Sequence, residues 1–294
     1  METLPAAPRP SLTDPGGSIR MKHYIMVGVL ALSLFFATQY ARGELWFQDR
    51  EVHVVATTAP AAPWSWHGSV EPGATVRVVG VNGPIEAHRA DGDEVEVEAL
   101  RKGRNAAERI RIAVVEHSGG VTVCALYPTR RAEPSCTAEG PTQQSVRAAN
   151  LSVTFRVGVP DGVAFIARTV NGAVTAEGLA GNVEAKSVNG SITIGTDGRA
   201  EASTVNGAIR ASVGVVDDFG ELAFRTTNGS ITLTLPENVD AEFDGGTTSG
   251  SIRSDFPLEV TGRYGPKRLS GVLGSGGDHI LLRSVNGSIR ILHR

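Results

Sequence analysis

Cysteine is nearly missing from this 294-residue chain, which holds only Cys124 and Cys136. Two thiols exclude a disulfide-dense miniature domain, and zinc would need two more soft ligands that are not nearby. An excess of basic charge is missing too. The formal charge is −3 with both signs spread along the chain, so there is no clustered cationic face for nucleic acid. The one basic stretch, Arg101, Lys102, Arg104, Arg109 and Arg111, is broken by Glu108 and reads as a solvated strand edge. Catalytic signatures are lacking as well. There is no Gly-x-Ser-x-Gly elbow, no His-Glu-x-x-His pair and no phosphate-binding loop, so nucleophilic, zinc and nucleotide hydrolysis lack their usual residues.

Long apolar runs are confined to the start of the chain. Lys22 and His23 precede an apolar stretch from Tyr24 to Ala37, followed by small and polar residues, the pattern of an export segment. Two readings stand: a signal peptide beginning at Met21, or a retained anchor preceded by a short Pro-rich tail. Even extended to Tyr40, the run is at the lower limit of about 17 to 20 residues for a bilayer crossing. Residues 24–40 would carry any membrane association, and both readings place the rest of the chain outside the cytoplasm. There, Cys124 and Cys136 are expected to form a disulfide across a Pro- and Arg-containing loop. The chain divides into an N-terminal extension (1–20), the export segment (21–42), an Ala/Pro-rich linker (43–69) and a single domain (70–294). Trp64 and Trp66, at the end of the linker, are expected to cap the open end of the core that follows.

What the chain has in quantity is glycine, 35 residues, together with Val, Ile and Thr flanked by Gly, Asn and Asp. That is an all-β composition. Its main signal is repetition. Asn-Gly occurs at Asn82, Asn171, Asn189, Asn206, Asn228 and Asn286, with Ser249-Gly250 as a seventh, altered copy. From Asn171 the steps are about 17 to 22 residues, except the last, from Ser249 to Asn286, which is about twice the unit and suggests a turn that has lost its signature. Three positions after the Asn stand Ile85, Val174, Ile192, Ile209, Ile231, Ile252 and Ile289. This β-branched column is expected to be core. Two positions further, the residues are again mostly apolar, as a strand of period two requires. The residue between them faces outward: Glu86, Thr175, Thr193, Arg210, Thr232, Arg253 or Arg290. Two before the Asn stands a hydroxyl in six copies, and immediately after the Gly a small residue.

Asn and Gly tolerate positive φ, so the pair is read as a tight turn, and the small residue as a point where copies approach closely. Each unit is then two short strands and two turns. Stacked in parallel, the units make a β-solenoid; with every Asn-Gly a hairpin, they make an antiparallel meander. The shared columns favour the solenoid, because stacking places like residues directly above one another.

The segments "PGATVRVVGVNGPIEA", "RTVNGAVTAEGLAGNVEAKSVNGSITI", "STVNGAIRA" and "GVLGSGGDHILLRSVNGSIRI" resemble the bacterial adhesin-type domain family of unknown function. The similarity runs from about Val70 to Arg294. It implies a right-handed, single-stranded β-solenoid at the bacterial surface or in the periplasm, with no catalytic residues to carry over. The function expected is a noncatalytic cell-envelope or surface interaction module whose partner is an envelope protein or a glycan. An envelope-stress sensor is the alternative, and a carbohydrate-active enzyme a third reading. No catalytic, cofactor-binding or metal-ligating residues are assigned. The turn acids Asp217, Asp218, Asp240, Glu242 and Asp244 have no known ligand-loop spacing and are expected to be solvated, and "GSGGDH" at 274–279 matches the calcium repeat only once and in the wrong order. Asp278 and His279 form the only adjacent acid and imidazole pair of the repeat region.

Overall fold

The computed structural model describes residues 63–129, 133–142, 150–214 and 220–294. The export segment, Asp217 and Asp218 lie outside the described residues. Among the described residues no helix is long and apolar enough to cross a membrane.

Each repeat is one coil with two strands, one in each of two facing sheets, joined by the Asn-Gly turn. Val183–Asn189 runs into Ile192–Thr196, and Ala200–Asn206 into Ile209–Val213. Successive coils pair in parallel and in register. Val174 stands opposite Ile192, and Ile192 opposite Ile209. The solenoid is therefore the architecture, and the meander is not. Inward residues of both sheets form one continuous buried core, in which the Ile/Val column is 0–8% exposed.

Strand order departs from chain order at both ends. The first sheet runs Trp64–Ser69, Glu94–Lys102, Ser152–Val159, Ile85–Arg89, Val174–Leu179, Ile192–Thr196, Ile209–Val213, Ile231–Leu235, Ile289–His293 and Ile252–Ser254. Ser152–Val159 lies parallel to Ile85–Arg89 with Phe155 opposite Ile85, so an aromatic residue extends the Ile column without an Asn-Gly turn of its own. Beyond it, Glu94–Lys102 and Trp64–Ser69 continue antiparallel. The linker expected through Ser69 thus stops short of Trp64: residues 64–69 are the edge strand, with Trp64 buried and Trp66 packed on the core.

At the other end the last coil in sequence is not the last in space. Asp278–Asn286 and Ile289–His293 insert between the coil of Asn228 and that of Ser249, so that Ile289 faces Ile231 on one side and Ile252 on the other. The long step before Asn286 is not a coil with a lost turn. Its residues form Glu259–Thr261 and Lys267–Leu273, two antiparallel strands that complete the second sheet beside Ala241–Ser249.

Candidate functional site

The repeated turn is held by two hydrogen-bond ladders. Each Asn side chain donates from Nδ2 to Oδ1 of the Asn in the neighbouring coil, at 2.8 Å throughout, from Asn286 through Asn228, Asn206, Asn189 and Asn171 to Asn82. Just inside it, the buried hydroxyls Thr169, Ser187, Thr204, Thr226, Ser284 and Thr247 donate to the carbonyls of Gly83, Gly172, Gly190, Gly207, Gly229 and Gly287, at 2.8–3.2 Å. These satisfy carbonyls that the sheet ladder leaves open at the turn.

The reason for Asn-Gly therefore differs from the turn chemistry expected. No Asn of the repeat has positive φ, and of its glycines only Gly83 does, at 116°. Glycine is required by contact: a Cβ on Gly172, Gly190, Gly207, Gly229, Gly250 or Gly287 would stand 1.9–2.1 Å from the neighbouring glycine's carbonyl oxygen. The close approach is at the glycine itself. The small residue that follows can carry its own contact, as Ser251 Oγ does with Ser288 Oγ at 3.0 Å.

The first Asn turn has a separate anchor. Tyr127 is buried, donates its hydroxyl to the Asn82 carbonyl at 3.0 Å, and accepts from the Asn82 N–H at 3.3 Å. Burial pushes its pKa up to about 12, against the smaller opposing effect of the Asn82 backbone hydrogen bond. Close by in sequence, Cys124 and Cys136 are bridged, with S–S 1.99 Å and Cα–Cα 6.0 Å. The bridge ties Gly120–Leu126 to the short antiparallel pair Cys136–Thr137 and Gly140–Pro141.

Outward positions form rows at the strand spacing. On the first sheet the row runs Arg156, Glu86, Thr175, Thr193, Arg210, Thr232, Arg290 and Arg253. On the second, the residues three before the Asn, or before Ser249, make a largely basic row from Arg168 through Lys186, Ser203, Arg225 and Arg283 to Gly246, and Arg268 continues it from the antiparallel strand Lys267–Leu273. Its neighbours change along its length. Beside Arg168 and Lys186 stand Glu184 and Glu201, with Arg168–Glu184 at 2.9 Å and Lys186–Glu184 at 2.8 Å. Burial alone would raise the Glu184 pKa, but hydrogen bonds and charge from Lys186 and Arg168 outweigh it and hold the carboxyl below its ordinary value. Further along, the same flanking row carries Ala223 and Leu281 before a carboxylate returns at Asp244, so carboxylates are sparser there.

At that point the surface opens into a groove of about 620 Å³ lined by Arg225, Arg283, Lys267 and Arg268, with Asp244 as its one carboxylate. Arg283 pairs with Asp244, Arg225 with Glu221 at 3.1 Å, and Lys267 donates to the Gly250 carbonyl at 2.8 Å. Gly246 lies between Arg283 and Arg268 in the row. A Cβ there would come within 3.4 Å of an Arg283 guanidinium nitrogen, so its bare backbone makes the floor. Ser203, Thr227 and Thr248 line the groove, as do Val205, Val285 and Pro266. Sequence reading missed this site, although the signal for Arg225 and Arg283 was one column further out in the repeat alignment, at the third residue before the Asn; Lys267 and Arg268 lie outside the repeat.

The acids weighed from sequence do not converge. Asp240 accepts the Ser275 N–H at 2.7 Å, and Glu242 and Asp244 stand outward on their strand. Asp278 is buried and accepts the Gly220 N–H at 2.7 Å, whereas His279 faces the other way, 3.9 Å from Glu221. They are not an acid–imidazole pair. Among the described residues no group of three metal-ligating side chains gathers.

No curated protein matches the chain. Two solved structures with low similarity are a candidate cell adhesion protein from Clostridium sporogenes ATCC 15579, 12% identical over 79% of this chain and 100% of that one with a TM-score of 0.36, and a candidate adhesin from Bacteroides fragilis NCTC 9343, 14% identical over 79% and 97% with a TM-score of 0.32. The family model described as Toastrack DUF4097 matches residues 168–292, from the Asn171 coil through the inserted last coil. Over residues 168–292 the chain is similar to the Toastrack DUF4097 family.

Proposed function

We propose that this chain is a noncatalytic, exported interaction module of the cell envelope or cell surface, in which the stacked coils are the scaffold and the outward rows make the contacts. The observation that carries the reading is the division of labour in each repeat. Asn, Gly, hydroxyl and Ile/Val positions are used up in ladders and core, while the columns that vary between copies are those that face solvent in fixed rows. The chemistry of those rows is mainly guanidinium, ammonium and hydroxyl, with Glu86 as a carboxylate in the first. The acids nearest the groove are held by arginines, and Asp240 by a backbone N–H, an arrangement for contact more than for acid–base work. Export is supported by the Tyr24–Ala37 run and by a disulfide, which persists in an oxidising compartment.

Cells making the full chain, or a variant lacking residues 24–37, are fractionated, and the exported form is used to capture envelope material. The full chain is expected outside the cytoplasm and saturably bound to the envelope fraction. A full chain that stays in the cytoplasm, or an exported one that binds no envelope component, overturns the proposal.

A further inference from the structure

The groove on the second sheet is assembled by the inserted coil. Arg283 comes from the last strand pair of the chain and is placed between Arg225 and Gly246, whose strands would otherwise be neighbours in a stack that followed chain order. With strands about 4.8 Å apart, Arg225, Arg283 and Arg268 span roughly 14 Å across the sheet, with the Gly246 floor between the last two. Four cationic side chains meet one lining carboxylate, Asp244, and Glu221 pairs with Arg225 from beside the groove, which leaves Lys267 and Arg268 as the excess positive charge. Along the rest of the row, the glutamates Glu184 and Glu201 answer the cations. Among the described residues no ion pair is formed by Arg268.

We infer that this groove binds the carboxylates of an extended acidic polysaccharide, a ligand class that rests on the interaction-module reading above. The floor of the groove is a sheet face whose backbone groups are already paired in the ladder, so it gives a peptide no edge to extend. It offers planar guanidinium groups that match carboxylates two-pronged, hydroxyls at Ser203, Thr227 and Thr248 for sugar hydroxyls, and an apolar margin at Val205, Val285 and Pro266 for the faces of sugar rings. Val205 and Val285 are 42% and 43% exposed. An uncharged glycan would leave the excess positive charge of Lys267 and Arg268 unanswered.

The test uses the full chain with polygalacturonate as the probe, at low and physiological salt, and with dextran as the neutral control. Binding is expected to polygalacturonate and not to dextran. R225Q/R268Q is expected to weaken it by about tenfold, since each exposed guanidinium contact in a wet groove is a few-fold effect. R210Q/R253Q/R290Q, on the first sheet, is expected to leave it within about twofold, and both variants to melt like the parent because these side chains are exposed. The inference is overturned if polygalacturonate does not bind at low salt, or if R225Q/R268Q binds it as the parent does. It is also overturned if heparin binds more tightly and is lost in the same variant, because the groove would then be reading charge density alone. Retention on the envelope fraction separates the two proposals: polygalacturonate failing while that retention persists sinks the ligand class and leaves the module standing.

Discussion

Replacing Gly207 by alanine gives opposite signs under two accounts of the repeat. In a solvent-exposed turn at ordinary φ, Gly→Ala would stabilise by about 0.4–1 kcal/mol through the unfolded chain. In the stacked turn, the new methyl would lie 2.1 Å from the Gly190 oxygen, 2.5 Å from its carbonyl carbon and 2.9 Å from the Ser191 nitrogen. Those are backbone atoms of a coil packed on both sides, and overpacking of this kind costs roughly 1–3 kcal/mol. Displacing the Gly190 carbonyl also takes the acceptor from the Thr204 hydroxyl, now at 2.9 Å and 3% exposed, for roughly another 1–3 kcal/mol. A loss of about 2–6 kcal/mol corresponds to a fall in Tm of about 5–20 °C for a domain of this size. The assay is thermal unfolding of the oxidised chain by circular dichroism. Gly92, with nothing within 4 Å of a built Cβ, is the control, and G92A should be neutral to about 1 kcal/mol more stable. A G207A protein as stable as the parent, or more so, would refute the contact argument.

Removing residues 278–294 should be worse than trimming an end, because it bares the Ile231 and Ile252 layers together; the truncated protein should aggregate on release from denaturant, and a soluble monomer with parental Tm would contradict the insertion. Glu184 has a lowered pKa in the fold, so its contribution is complete above the ordinary value of 4.5 and is lost as pH falls through the lower folded value; E184Q should flatten the drop of Tm with acid below about pH 4.5, and an unchanged slope would contradict that assignment. Tyr127 has a raised pKa, so its contribution is complete below pH 10.0 and is lost as pH rises towards about 12. Y127F should lose about 1–3 kcal/mol at pH 7 yet show a smaller further loss above pH 10 than the parent, measured by melts across that range.

Much of the fold was legible because stacking repeats the same demand at each coil. A column such as Ile85, Val174, Ile192 and Ile209 is visible in sequence since each member meets the one before it in space. What was not legible had no local signature. Phe155 joins the column through a parallel pairing that no turn residue announces, and the position of the Asn286 coil depends on which neighbour its strands choose. The hydroxyl column was visible, but its purpose was not, because the carbonyl it satisfies belongs to another coil. The groove follows the same rule: Arg283 enters the row between Arg225 and Gly246 only through the insertion, and Arg268 joins it only through the antiparallel pairing with Gly246.

That insertion is the claim on which both the stack and the groove depend, and isoleucine-methyl NMR of the unmodified chain tests it most directly. Nuclear Overhauser contacts should join Ile289 strongly to both Ile231 and Ile252, with the Ile231–Ile252 contact absent or far weaker across about two strand spacings, roughly 9.6 Å. A strong direct Ile231–Ile252 contact, with Ile289 touching only one of them, would mean that the coils stack in chain order and that Arg283 does not stand between Arg225 and Gly246.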